Sequence, residues 1–397
     1  MYTSMSLFRQ VLSIVDRRLF QKAVNLYDGD KGQKGFTTWD LFVSMLFCQL
    51  GQAKSLREIC YGLLSAEGKL SHLGITNPPS KSNLSYANKH RSWQIFQCVF
   101  NTLLGKCYEQ APGKKSKFRF KNDLYSLDAT TIDLCLNLFP WAKFRQMKGA
   151  VKLHLLLDHE GYLPCFAHIT DGKTHEVNIA KAMDLPKGSI IAMDKAYIDY
   201  ALLHRWTRED IFFVTRLKDN ADYKILKRHE ISGKNIKSDW TISWEGHNAL
   251  KNCPSPMRVV KYWNEDKQEH FYFLTNNFHL AASTIVAIYK DRWEIELFFK
   301  ALKQNLRVKT FIGTSSNALH IQLWTALISI LLLKYMQFCS KVGWSLSNLA
   351  ALLRMNLMIY TDLWEWLERR WIQRIPIPQV QQLLLNLGQH PVPLMGG

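Results

Sequence analysis

Acidic residues are scarce in this chain. Asp plus Glu number 33 against 51 Lys plus Arg, so the formal charge is +18. That excess points to a polyanionic partner, most simply nucleic acid. A long apolar run is also missing. The longest, Leu323 to Leu333, covers about eleven residues where a bilayer span needs about twenty. It is expected to be a buried core helix, and no membrane partner is expected. The opening MYTSMSLFRQ lacks a charged stretch followed by an apolar one, which argues against a secretory leader. The eight Cys, at 48, 60, 98, 107, 135, 165, 253 and 339, contain no C-x-x-C pair. They read as reduced, mostly buried thiols of a cytoplasmic protein. They exclude a disulfide scaffold and argue against structural zinc. Hydrophobic residues at 47% over 397 positions exclude a disordered chain and suffice for one large core or two to three domains.

Patterning divides the chain. Residues 1–110 read as helical, with capping-box spacing at Ser55–Glu58 and a long helix expected after Pro78-Pro79, capped by Ser80 or Ser82 and running toward Leu104. This region is expected to bind DNA, with a helix-turn-helix-like reader weighed against a bundle with a solvated basic face. Residues 111–121, APGKKSKFRFK, form a basic linker. From 122 to 217 three strands in a meander, with His159-Glu160-Gly161-Tyr162 as a hairpin turn, give way to alternating helix and strand. An α/β mixed sheet with packed helices is expected. Residues 218–280 read as polar and irregular with short strand-like pieces, a mostly β insertion. Residues 281–310 read as one strong helix, and 311–397 as a helical C-terminal region.

That strong helix carries an unusual stripe. At about 100° per residue, Tyr289, Arg292, Glu296, Lys300 and Lys303 share one narrow face over four turns, beside an apolar core stripe. Trp293 flanks it. Ion pairs at this spacing contribute only about 0.2–0.5 kcal/mol each, so a stabilised surface helix and a metal-binding acid among phosphate-holding cations both fit. Two further acids tip the balance. Asp128 lies within a strand, where an uncompensated carboxylate is costly. Asp194 ends an apolar strand, at the edge where open α/β sheets carry their sites. Two strand acids and a helix acid would make an oxygen-rich cluster suited to Mg²⁺ or Mn²⁺, and two such ions can drive phosphodiester displacement.

The chain here resembles the DDE transposases of bacterial insertion sequences, specifically the insertion-sequence-four family. The signature Y-x-x-R-x-x-x-E-x-x-x-x-x-x-K is matched by Tyr289, Arg292, Glu296 and Lys303. Asp128 stands in Ser-Leu-Asp-Ala-Thr-Thr and Asp194 in Met-Asp-Lys-Ala-Tyr, with Ala196 where the family often has Gly. The resemblance implies an RNase H-like core with Asp128, Asp194 and Glu296 as catalytic ligands of two Mg²⁺ ions, for which Mn²⁺ may substitute. It implies cut-and-paste transposition on double-stranded DNA: nicking at the element ends, then attack by the 3′-OH, with relatives using a hairpin and working as dimers. Tyr289, Arg292, Lys303 and Lys300 would hold phosphates, and Trp293 would contact DNA. Phe271 is the insertion aromatic expected to meet a flipped base, with Trp240, Trp244 and Trp263 as competitors. Lys148 and Lys152 are expected near the phosphate backbone, a solvated face being the alternative. His175 reads as a helix-start residue, and Asp158, Asp171 and Asp199 as turn or capping residues. Two other functions stay open: an RNase H-like nuclease without strand transfer, and a non-catalytic DNA-binding regulator. The expected location is the cytoplasm, at the nucleoid.

Overall fold

A computed structural model describes residues 4–66, 68–111, 117–135, 137–145, 148–308 and 310–369; the side chains of 143–145 and 148 lie outside that description. Six helices open the chain: α1 (Leu7–Ile14), α2 (Arg17–Leu26), α3 (Thr38–Gly51), α4 (Leu56–Leu64), α5 (Lys81–His90) and α6 (Gln94–Gln110). Ser55 caps α4 and Ser80 caps α5, each accepting a backbone N–H three residues on. The single helix expected from Ser80 toward Leu104 is in fact two. The chain leaves the helical region at Arg91 (φ −78°, ψ 139°). The Arg91 guanidinium is buried, donating to Asp30 and Thr38 at 3.0 Å each and to the Phe36 carbonyl. A buried guanidinium needs such partners, and reaching them breaks the helix.

The remaining elements, in chain order, are β1 (Leu124–Leu134), β2 (Lys143–Arg145), β3 (Lys148–Asp158), β4 (Leu163–Asp171), α7 (Glu176–Ala182), β5 (Ile190–Met193), α8 (Tyr200–Arg208), β6 (Phe212–Arg216), β7 (Tyr223–Arg228), β8 (Ile236–Trp244), α9 (His247–Asn252), β9 (Met257–Asn264), β10 (Glu269–Thr275), α10 (Ala282–Asp291), α11 (Trp293–Asn305), α12 (Ser316–Cys339), α13 (Leu346–Asn356) and α14 (Leu363–Glu368). Ten strands form one sheet. Its first half runs β4-β3-β1-β5-β6, antiparallel among β4, β3 and β1, then parallel from β1 to β5 and β5 to β6. That order and polarity, with helices on both faces, is an RNase H-like α/β sheet.

Residues 218–280 are more regular than the sequence indicated. Four strands and α9 continue the same sheet, entering through β10 against β6 at Phe273↔Arg216 and running antiparallel to β7 at the far edge. One face of the sheet packs Leu127, Met193 and Phe213 with Trp206 and Leu203 of α8. The other packs Leu124, Ala192 and Val214 with Ile285, Val286 and Ile288 of α10. The N-terminal helices share a third core with α11, α12 and α13. At its centre, α12 is long and apolar enough to cross a membrane by length and composition, and 83% of its most apolar window is buried inside the protein. The tail PVPLMGG lies outside the described residues.

Candidate active site

Parallel pairing of β1 with β5 sets Leu127 opposite Met193. One residue further along, Asp128 stands beside Asp194, on strands about 4.8 Å apart. Side chains alternate along a strand, so Asp128 shares its face with Leu124 and Ser126, and Asp194 shares its face with Ala192. Leu124 and Ala192 pack against α10, so both acids project on the side from which Glu296 arrives. Asp194 also caps a short 3₁₀ turn, accepting the Ala196 N–H at 3.0 Å.

The third acid arrives through an elbow. The sequence projects one helix over 281–310; the structure breaks it at Arg292, which closes α10 and opens α11 with helical angles (φ −52°, ψ −26°). The buried Arg292 guanidinium sits between two acids, with Nη1 3.3 Å from Asp128 Oδ2 and Nη2 2.5 Å from Glu296 Oε1. Burial pushes the Asp128 carboxyl up to about 6. The Ala129 N–H at 2.8 Å and Arg292 pull it down, and the charges of Glu296 and Asp194 raise it again. Burial opposes the charge on Arg292, and its anionic neighbours more than restore it.

Among the described residues, two polar atoms here are buried without a hydrogen-bond partner: Arg292 Nε and the Tyr197 hydroxyl. Burial, with Asp128 next in effect, holds the Tyr197 hydroxyl well above its ordinary pKa. Among the described residues no three His, Cys, Asp or Glu side chains are gathered closely enough to hold a metal ion. The donor chemistry nevertheless fits a hard divalent cation: three carboxylates, one with its pKa raised by burial and further by the charges of the other two, would gain from added positive charge.

The other expected site residues divide. Tyr289 is half-buried, its ring 4.9 Å from that of Phe273 and 5.4 Å from the Arg292 guanidinium carbon. Lys303 Nζ donates to the Thr131 carbonyl on β1 at 3.2 Å. Lys300 is exposed, and Trp293 is 55% exposed. Lys152 is held locally by the Thr174 carbonyl and Glu176, at 3.1 and 3.3 Å. Lys148 stands at the start of β3, and its side chain lies outside the description. Phe271 is buried in the sheet core, with Arg216 4.2 Å and Lys267 5.6 Å from its ring centre. His175 precedes α7 without the expected capping bond. Asp158, Asp171 and Asp199 accept turn or cap N–H groups as expected.

Sequence reasoning missed Ser126, His159 and Asp291, which meet beside the acids. The signal available was Asp291 itself, an acid next to the signature arginine.

The chain is similar to known proteins. Residues 119–332, more than half of the chain, match the family described as transposase DDE domain, and residues 3–76 match a domain of unknown function (DUF4372). A probable transposase for an insertion sequence element of Geobacillus stearothermophilus is 27% identical over 336 residues, 83% of this chain and 84% of that protein. A putative transposase of Sinorhizobium fredii is 29% identical over 261 residues, 64% of this chain and 71% of that protein. A solved piggyBac transposase synaptic complex with hairpin DNA aligns with 93% of this chain and 82% of its own, at 10% identity and a TM-score of 0.41. Divalent metal ions are the general cofactor of the DDE domain, and DNA is its partner. The matched span contains both strand acids, the Arg292 elbow and Glu296, and the chain belongs to the DDE transposase family.

Proposed function

We propose that the protein is a cut-and-paste transposase of the insertion-sequence-four branch. Asp128, Asp194 and Glu296 hold two Mg²⁺ ions, with Mn²⁺ as a substitute. The observation that carries this reading is the side-by-side register of Asp128 and Asp194, with Glu296 tied to Asp128 through Arg292. When bound, the ions would activate the attacking oxygen and neutralise the leaving one.

The chain's own residues supply the rest. Arg292 has a buried Nε with no partner among the described residues, a donor that could take a phosphate oxygen. Tyr289 and Lys303 flank it and hold the strand in line. Lys300 and Trp293, both exposed beside Glu296, bind the flanking duplex. The N-terminal helices hold the element ends. On α5 the exposed face carries Lys81, Asn83, Tyr86, Lys89 and His90 and no acid. A homodimer would bridge two ends, and a hairpin intermediate is the expected route of excision. The work is done in the cytoplasm.

Glu296→Gln tests the reading. It keeps the shape and removes the charge, so end binding should survive while Mg²⁺-dependent nicking disappears. Full nicking by this variant would overturn the assignment. Incubating pre-cleaved ends with target plasmid separates a transposase, which joins them, from a nuclease, which does not.

A further inference from the structure

Ser126, His159 and Asp291 form a hydrogen-bonded chain inside the protein, outside the acid cluster but adjoining it. His159 lies in the turn between β3 and β4. Its Nδ1 is 2.7 Å from Asp291 Oδ2 and its Nε2 is 2.7 Å from Ser126 Oγ. An ionised carboxylate only accepts, so Nδ1 carries the hydrogen; in the neutral ring Nε2 then accepts from the serine hydroxyl. Lys117 Nζ, 2.6 Å from Oδ1, and the Tyr162 hydroxyl, 3.4 Å from Oδ2, complete the shell around Asp291. Burial works against the Asp291 charge, but hydrogen bonds from His159 and Lys117 outweigh it and hold the carboxyl below its ordinary pKa. The His159 and Asp291 side chains are 7% and 2% exposed.

Serine, histidine and aspartate in this order also make a hydrolytic nucleophile. That reading fails on access. Ser126 is wholly buried, and it does not line the cavity of about 400 Å³ that reaches His159 and Asp291. Position in the fold gives a better account. Ser126 is two residues before Asp128 and on the same face of β1. Asp291 ends α10 and adjoins Arg292, the elbow leading to Glu296. The imidazole therefore spans the two elements whose separation fixes the distance between two of the three acids.

We propose that Ser126, His159 and Asp291 form a positioning relay, which clamps the α10–α11 elbow to β1 and so sets the gap between Asp128 and Glu296. The inference rests on the metal-binding role of those acids under Proposed function. None of the three touches the DNA or the ion. Each acts through the acid it adjoins.

The test uses the full chain and duplex element ends, with His159→Phe, His159→Gln and Glu296→Gln. Gln keeps one donor and one acceptor; Phe keeps neither. Mn²⁺ binding is read by electron paramagnetic resonance titration, nicking by single-turnover rate, and end binding by anisotropy. For His159→Phe the nicking rate should fall about 10- to 100-fold, the scale expected when reacting groups are misplaced by about 1 Å. Half-saturating Mn²⁺ should rise several-fold, end binding should stay unchanged, and His159→Gln should recover most of the loss. Wild-type Mn²⁺ affinity and nicking in a folded His159→Phe, with Mn²⁺ binding lost in Glu296→Gln, would overturn the relay alone. Wild-type Mn²⁺ binding in Glu296→Gln would overturn the acid assignment beneath it. Should His159→Phe fail to fold, Ser126→Ala removes one link with little change in volume, and wild-type Mn²⁺ affinity there would overturn the relay as well.

Discussion

Arg258, in the added half of the sheet, is fully engaged. Its Nε and Nη2 meet the two oxygens of Asp239 at 2.9 and 2.6 Å, and its Nη1 donates to the carbonyls of Asn277 and Leu280 at 3.1 and 2.6 Å. Arg292, beside the first half, is divided between Asp128 and Glu296 and leaves its Nε without a partner among the described residues. Both side chains are about one-tenth exposed, at 8% and 11%. The first arrangement is closed: a bidentate pair in which each of the three guanidinium nitrogens has a partner, fastening β8 to β9 and to the chain after β10. The second is open. It holds two acids that would repel one another and keeps a donor in reserve. A buried ion pair built for stability saturates its arginine. One built for chemistry keeps bonding capacity for a ligand, at some cost to the fold.

The sharpest way to break that comparison is to delete each guanidinium. Arg258→Ala strands the Asp239 carboxylate, which is 4% exposed. It should destabilise the protein by about 3–5 kcal/mol, as breaking a buried pair from one side does. Urea denaturation measures it. Arg292→Ala should cost less than half as much stability, because Asp128 and Glu296 are 19% and 33% exposed and can rehydrate or take up a cation. Its nicking rate should nevertheless drop at least about 100-fold, roughly 2.7 kcal/mol of transition-state stabilisation. Equal stability losses would remove the distinction between the two sites.

Lys334 sharpens the same contrast with a buried cation that has no acid bonded to it among the described residues. Burial lowers its amine to about 8, and its Nζ donates to the Gly161 carbonyl at 3.1 Å. The sign follows from linkage. Between about pH 8 and 10.5 the unfolded chain binds the proton and the folded chain does not, so folding stability rises with pH across that window. Below pH 8 both states are charged and the folded state bears the burial cost. Lys334→Met should therefore raise stability at pH 7 by about 2 kcal/mol and flatten the rise above pH 8. Melting curves at pH 7 and 10 test both halves; a destabilised variant at pH 7 would mean the Gly161 bond outweighs burial.

What the sequence disclosed follows the same division between local and distant causes. The strands carrying Asp128 and Asp194 were legible because β-branched and apolar residues cluster within single short runs. Their side-by-side register comes from the parallel pairing of β1 with β5, which the order of elements alone does not fix. The elbow at Arg292 was invisible, since helical periodicity runs unbroken through a residue that keeps helical angles. The break at Arg91 was hidden for another reason: its cause lies in Asp30 and Thr38, more than fifty positions away. His159 and Asp291 are separated by 132 positions; the place of Asp291 beside the signature arginine marks that acid, but not its bond to His159. β7 was missed because Lys224, Leu226 and Lys227 lie on an edge strand that is mostly exposed and lacks an inward apolar alternation. Phe271 was legible as an aromatic on a strand, but its burial depends on β6 and β9 closing on either side.

The smallest expected effect on the fold belongs to Trp293. It is 55% exposed, and Leu297, one turn along α11, is 40% exposed, with Lys300 following on the solvent side. A large aromatic left in water one turn from Glu296 contributes little to the core, so Trp293→Ala should change stability by no more than about 0.5 kcal/mol. If the ring stacks on a base or sugar of the element end, end binding should weaken by about 1–3 kcal/mol. Salt then separates stacking from charge. Lys300→Ala should lower the slope of log affinity against log salt by about 0.9, the release of one counterion. Trp293→Ala should weaken binding equally at every salt concentration and leave that slope alone. A Trp293 variant that binds ends normally would assign the exposed strip of α11 to contacts between protomers, and the interface with DNA would then rest on the cations alone.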